Sequence, residues 1–223
     1  MQLISLNVSG IKTFEYRGKN VTTGIYKTPI HEPVMLRRLN LDGDKQADLK
    51  VHGGVHKAVY FYPHEHYATW QTELGRDDFQ VGQFGENFTV TGMLETEVYI
   101  GNIYRIGDAH VQISQPRVPC FKLAHKMQTG GDFQKQFIAT GRTGYYARVI
   151  QEGMVAPDSP ITLIEQDPQQ VSIYAMNHLL YLDSSDVELA RCALKIQALA
   201  PGWYGSMEEI VETYEENARQ NLR

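Results

Sequence analysis

The sequence predicts a mainly β protein: a β-barrel followed by a small three-helix domain. Three observations carry that prediction. Short β-type segments recur through residue 166, separated by glycine-rich punctuation. Little helical pattern lies between them, which favours a barrel over a doubly wound sheet, since closure also removes exposed strand edges. The character changes near Asp167-Pro168, after which apolar residues fall at helical spacing. The expected division is 1–166 for the barrel and 167–223 for the helices.

In chain order, strands are expected at Leu3–Val8, Val21–Tyr26, Val34–Leu39, Ala58–Tyr62, Asn87–Val90, Glu97–Ile100, Ile103–Ile106, Ala109–Ser114, Tyr145–Ile150 and Ile161–Ile164. A helix opens at Pro63, a residue suited to a first turn, with Tyr67, Trp70 and Leu74 at helical spacing. Residues 124–139 read as short helices broken by Gly130-Gly131. In the tail, Val171, Tyr174, Ala175, His178 and Leu179 share one face. Ser184-Ser185-Asp186 offers an N-cap for a second helix, which Pro201-Gly202 should stop. Ser206 with Glu209 three residues later makes a capping box for a third.

Composition narrows the function classes. There are 26 acidic and 21 basic residues, a net charge of −5, so the footprint of a nucleic-acid-binding protein is absent. The acid is concentrated in the last third, which leaves room for a local basic pocket earlier. No apolar run reaches the ~18 residues of a membrane span, and the N-terminus lacks the charged start of a leader. Two cysteines do not make a disulfide framework, and a reducing cytoplasm is the expected compartment.

One of those cysteines is unusually placed. In SQPRVPCFKLA, residues 114–124, Cys120 follows Pro116 and Pro119 and lies between Arg117 and Lys122. The prolines fix φ, push the preceding residues into extended geometry and cannot extend a strand ladder. The segment should therefore leave the sheet as a stiff loop. The flanking cations would favour a thiolate. The alternative is a small buried hydrophobe, and local chemistry leaves the two in balance. Cys192, among Ala190, Ala193 and Leu194, reads as packing.

Other candidates are weaker taken singly. In LDGDKQADLKVHGGVHKAVYFYP, residues 41–63, His52 and His56 are four apart, but Gly53-Gly54 breaks the helix that a zinc pair would need. A glycine turn presenting His52 and Lys57 to an anion survives, beside a plain hairpin turn with surface histidines. Gly82–Phe88 is a second glycine-framed loop. Arg142, between Gly141 and Gly144, and Arg148 could meet a phosphate or simply face solvent. No GxSxG elbow, P-loop or dinucleotide fingerprint is present.

Taken together, GKNVTTGIYKTPI, LDGDKQADLKVHGGVHKAVYFYPHEHYATW, GENFTV, QPRVPCFKLA and GRTGYYARVIQEGMV resemble the MOSC domain family, the molybdenum cofactor sulfurase C-terminal type. The resemblance implies a β-barrel whose Cys120 is a ligand to molybdenum of a pterin cofactor, or a carrier of sulfur for it. Family enzymes reduce N-hydroxylated compounds, purine bases among them, with electrons from a flavin- or haem-containing partner. The sulfurase relatives carry an additional pyridoxal-phosphate domain, for which this chain is too short, so reductase is the favoured reading. A carrier module without reductase activity of its own is the alternative. The pterin would bring two further sulfurs, so one protein thiol suffices. Its phosphate calls for cations and backbone N–H groups; His52, Gly53, Gly54, Lys57, Asn87, Arg117, Lys122, Arg142 and Arg148 are the cofactor-binding candidates. The acidic tail suits a basic partner or a second subunit, and a homodimer is the expected assembly.

Overall fold

The structure is a computed structural model describing residues 1–48 and 53–220. In chain order its strands are β1 Gln2–Val8, β2 Lys12–Tyr16, β3 Lys19–Thr23, β4 Thr28–Ile30, β5 Val34–Leu36 and β6 Val59–Pro63. Helix α1, Glu65–Leu74, then leads to β7 Phe88–Thr91, β8 Ile103–Ile106 and β9 Ala109–Pro116. Helices α2 Phe121–Met127 and α3 Phe133–Ala139 precede β10 Tyr145–Gln151, β11 Gly153–Val155 and β12 Ile161–Glu165. The chain closes with α4 Ile173–Tyr181, α5 Val187–Ala193 and α6 Pro201–Gln220.

Eight strands form one mixed sheet in the order β12-β8-β9-β10-β6-β7-β1-β4, and the pairs β11-β5 and β2-β3 stand apart from it. Among the described residues only β6 and β7 run parallel, and α1 is the crossover that parallel neighbours require. The expected closed barrel is not formed. On the edge of β1 away from β7, β4 occupies Leu6 to Val8. Met1 to Leu3 face the other end of the sheet. That end meets them through one bridge, Gln2 to Pro160, and a few backbone bonds such as Leu3 N–H to Ser159 at 3.0 Å. The sheet stops short of a continuous ladder.

The sheet separates two cores, and β6 shows how. All five of its residues, VYFYP, are buried. Side chains alternate across a strand, so Val59 and Phe61 enter the larger core, while Tyr60 and Tyr62 enter an aromatic cluster with Trp70, Phe84, Leu123 and Phe137. The smaller cluster sits under α1, α2 and α3. The larger one continues without interruption into the C-terminal helices through Ile173, Met176, Leu179, Ile196, Leu199 and Trp203.

Several expected boundaries shift for identifiable reasons. Pro63 ends β6 instead of opening α1. The strand expected at Glu97–Ile100 is a turn, in which both Glu97 and Val98 N–H groups donate to the Leu94 carbonyl. Asp186 does cap α5, its Oδ1 accepting from Leu189 N–H at 2.9 Å. Pro201-Gly202 does not merely stop a helix. It begins α6, where a missing N–H costs nothing, so Ser206 lies inside that helix and caps nothing. Among the described residues no helix is long and apolar enough to cross a membrane.

Candidate functional site

β9 ends at Pro116, paired with Tyr145 at the start of β10. One further backbone bond, Arg117 N–H to Gly144 at 3.1 Å, holds the chain before Val118-Pro119 carry it off the sheet. Cys120 is then the residue before the first turn of α2, extended at φ −121° and ψ 170°, with its carbonyl accepting from Leu123 N–H. The stiff proline loop therefore places a half-buried thiol at a fixed point beside the sheet.

Cys120 faces an open pocket of about 590 Å³. Four segments wall it: Thr23 to Lys27 after β3, Lys45 to Asp48, Gly85 to Asn87, and Arg117 to Lys122, with Tyr60 and Tyr146 contributed by the sheet. Arg117 is 5% exposed. Its guanidinium lies 4.8 Å over the Tyr60 ring and 5.8 Å from that of Phe137. Its Nη1 is buried with no hydrogen-bond partner. Burial works against that charge, but Tyr60, Tyr146 and the Cys120 sulfur favour it, and the pKa of Arg117 is raised. Burial also raises both phenols, Tyr60 well above its ordinary value, so both hold their protons at neutral pH.

Buried charge holds the walls in place. Lys27 Nζ meets Asp44 Oδ1 at 2.6 Å with both side chains out of solvent. The same Oδ1 accepts from Ser9 N–H, while Oδ2 accepts from Asn87 Nδ2 at 2.9 Å. Asn87 Oδ1 in turn accepts from Tyr60 N–H. Asn87 lines the pocket, but its amide is engaged in fastening β6 to the Asp44 loop. Glu86 is fully buried and accepts four bonds, from the Tyr67 and Thr89 hydroxyls and from Gly82 and Phe84 N–H. Lys126, near the end of α2, donates to the Ile25 and Gly82 carbonyls at 3.0 and 2.5 Å. Burial, opposed by Glu86 and aided by Lys27, Arg117 and Lys12, lowers its pKa to about 8.

The residues expected around a phosphate do not all gather here. Cys120, Arg117, Lys122 and Asn87 line the pocket. Arg142 does not: it lies 4.3 Å over Trp70 and binds both carboxylate oxygens of Glu73 at 2.8 Å. Arg148 reaches back to the Ala198 carbonyl, below the C-terminal helices, and its Nε is buried without a partner. Gly53, Gly54 and Lys57 border a separate cavity against the start of α6. Gly54, at φ 90°, makes the turn that accepts Lys57 N–H. Gln46 Nε2, on the pocket wall, donates to the Lys57 carbonyl of that turn at 3.2 Å. His52 lies outside the described residues.

Sequence reasoning overlooked Lys27, Lys45, Tyr60 and Tyr146. Strand alternation was the signal for the tyrosines: if Phe61 faces the main core, Tyr60 and Tyr62 face the other side. Nothing local marks Lys27 or Lys45, because the contacts that place them come from loops far along the chain.

Known proteins resemble this chain over most of its length. A family model for the MOSC domain matches residues 48–162. The uncharacterized protein YflK of Bacillus subtilis is 41% identical over 204 residues, covering 92% of this chain and 91% of YflK. The crystal structure of YiiM from Geobacillus stearothermophilus superposes with a TM-score of 0.78 at 36% identity, covering 94% of this chain and 98% of that one. A protein of Gibberella moniliformis named Reductase is 34% identical over 166 residues, covering 73% of this chain but 29% of its own length. The chain belongs to the MOSC domain family.

Proposed function

We propose that the Cys120 pocket holds a molybdenum–pterin cofactor and that the protein reduces N-hydroxylated compounds, purine bases among them. The observation that carries this reading is the pairing of a half-buried thiol with a buried arginine whose Nη1 has no partner. The residues fit the group. Cys120 supplies a soft sulfur ligand for a thiophilic metal. Arg117, Lys45 and Lys122 supply positive charge for an anionic cofactor at one pocket. Among the described residues no cluster of three His, Cys, Asp or Glu could cage a metal unaided. A metal that arrives with most of its ligands on a cofactor is what such a donor set suits. The MOSC family match and the relative named Reductase support the oxidoreductase reading.

When bound, the cofactor supplies two-electron oxygen-transfer chemistry. The residues do the rest. Cys120 Sγ, fixed by the proline loop, anchors the group. Arg117, held over the Tyr60 ring, sets a fixed positive charge beside the pocket, with Nη1 still free to take a partner. The Tyr146 hydroxyl keeps its proton and presents a donor at the pocket wall. The overall conversion is R–NHOH with two electrons and two protons to R–NH2 and water, the electrons coming from a flavin- or haem-containing partner protein. Cytoplasmic location and a homodimer belong to the same proposal.

The test is reduction of an N-hydroxylated purine by cofactor-loaded protein with a chemical electron donor. The wild type is expected to turn over. Cys120→Ser should lose activity on the order of 100-fold or more, since ligand loss exceeds the effect of supporting residues. Retained cofactor with no reduction by the wild type would leave the carrier module instead. A persulfide on Cys120, absent from the Ser variant, would then be its mark.

A further inference from the structure

Two loops, 23–27 and 82–87, form one wall of the Cys120 pocket, and they meet without slack. A Cβ on Gly85 would stand 2.6 Å from Ile25 Cγ1, and one on Gly82 would stand 2.9 Å from the Lys27 carbonyl oxygen. Both glycines also hold positive φ, 84° and 82°, which other residues rarely adopt. The loops thus behave as one unit. One side chain of the helix that follows Cys120 bonds to both loops at once.

Lys126 sits six residues after Cys120 on α2. Its Nζ bonds one carbonyl from each loop, Ile25 and Gly82. The Tyr26 ring lies 5.9 Å from it. The nearest carboxylate influence is Glu86, whose oxygens already accept four other donors. Lys27, Arg117 and Lys12 all oppose a charge at this point. An ammonium kept in so unfavourable a place is retained for the bonds it makes. Next along the helix, Met127 Sδ accepts from Gln83 Nε2 at 3.4 Å, a far weaker tie to the same loop.

We propose that Lys126 is a positioning residue: it pins both loops to the helix of Cys120 and so sets the width of the pocket. The proposal rests on reading that pocket as the functional site, but its test needs no cofactor. Failure of cofactor loading or of reduction therefore leaves this test standing, and the two readings fall separately.

The experiment compares full-length wild type, Lys126→Met and Lys126→Arg at pH 7. Amide exchange is measured by mass spectrometry over residues 23–27 and 82–87. Alkylation of Cys120 by iodoacetamide is followed on its own peptide, apart from Cys192. Lys126→Met should speed exchange in both loops by about tenfold or more, as expected for losing charge-assisted bonds. It should leave β6, β9 and β10 unchanged and alter the Cys120 alkylation rate. Lys126→Arg, which can still donate to both carbonyls, should restore wild-type behaviour. If Lys126→Met does not fold, Lys126→Gln, too short to reach both loops, takes its place. Equal loop exchange in wild type and variant would overturn the proposal. So would faster exchange throughout the sheet, or loss of fold in both variants, because Lys126 would then support the whole fold and not the pocket.

Discussion

Removal of residues 167–223 should abolish cooperative folding of what remains. The helices are not an appendage with a core of their own. Ile173, Met176, Leu179, Ile196, Leu199 and Trp203 are each under 10% exposed, in the same cluster as Val111 and Ile113 of β9 and Ala147 of β10. Backbone bonds add to the join, as in Ala200 N–H to the Ser114 carbonyl at 3.1 Å. Burial of one such large side chain is worth about 1.5–3 kcal/mol. Six together rival the about 5–15 kcal/mol that holds a typical domain folded. A fragment of residues 1–166 is therefore expected to show no sigmoidal urea transition. A cooperative transition with native-like sheet content would mean that the division at 166/167 marks an independent domain.

Glu86→Leu should cost about 4 kcal/mol or more, because it leaves four buried donors unpaired at about 1–3 kcal/mol each. It would also remove the negative charge that favours both Lys27 and Lys126. Glu86→Gln keeps the volume but turns an amide N–H2 toward one set of donors, so a smaller loss of about 1–3 kcal/mol is expected. Urea denaturation of the three proteins measures both. A loss below about 1 kcal/mol for the leucine variant would contradict the described network, since surface substitutions cost no more.

Features written in local chemistry were legible in the sequence. The chain does leave the sheet before Cys120, at Val118-Pro119, because Pro119 has no N–H for a ladder, whereas Pro116 still pairs with Tyr145 at the end of β9. Asp186 caps α5 because its side chain needs only its own helix. The break between α2 and α3 lies at Gly130-Gly131, where the periodicity itself lapses. Features that depend on a distant partner were not legible. Glycines around Arg142 suggested a phosphate ligand, yet its partners are Glu73 and Trp70, brought to it by α1. Ser206 and Glu209 have capping-box spacing, but Trp203 and Met207 bury one face of α6 and draw the helix start back to Pro201. Lys27 and Glu86 look like ordinary surface charges in the sequence, and only their partners show that they are buried. The closed barrel also depended on distant pairing: β1 and the segment leading into β12 meet through the Gln2 to Pro160 bridge and a few backbone bonds, not through a continuous ladder.

The measurement closest to the central claim is molybdenum per chain, by elemental mass spectrometry, after loading wild type and Cys120→Ser in parallel with free cofactor. Near one molybdenum per chain in the wild type, lost or rapidly released in the variant, is the expected result. Equal retention by the two proteins would contradict Cys120 as the ligand, and no molybdenum in either would contradict the cofactor site itself.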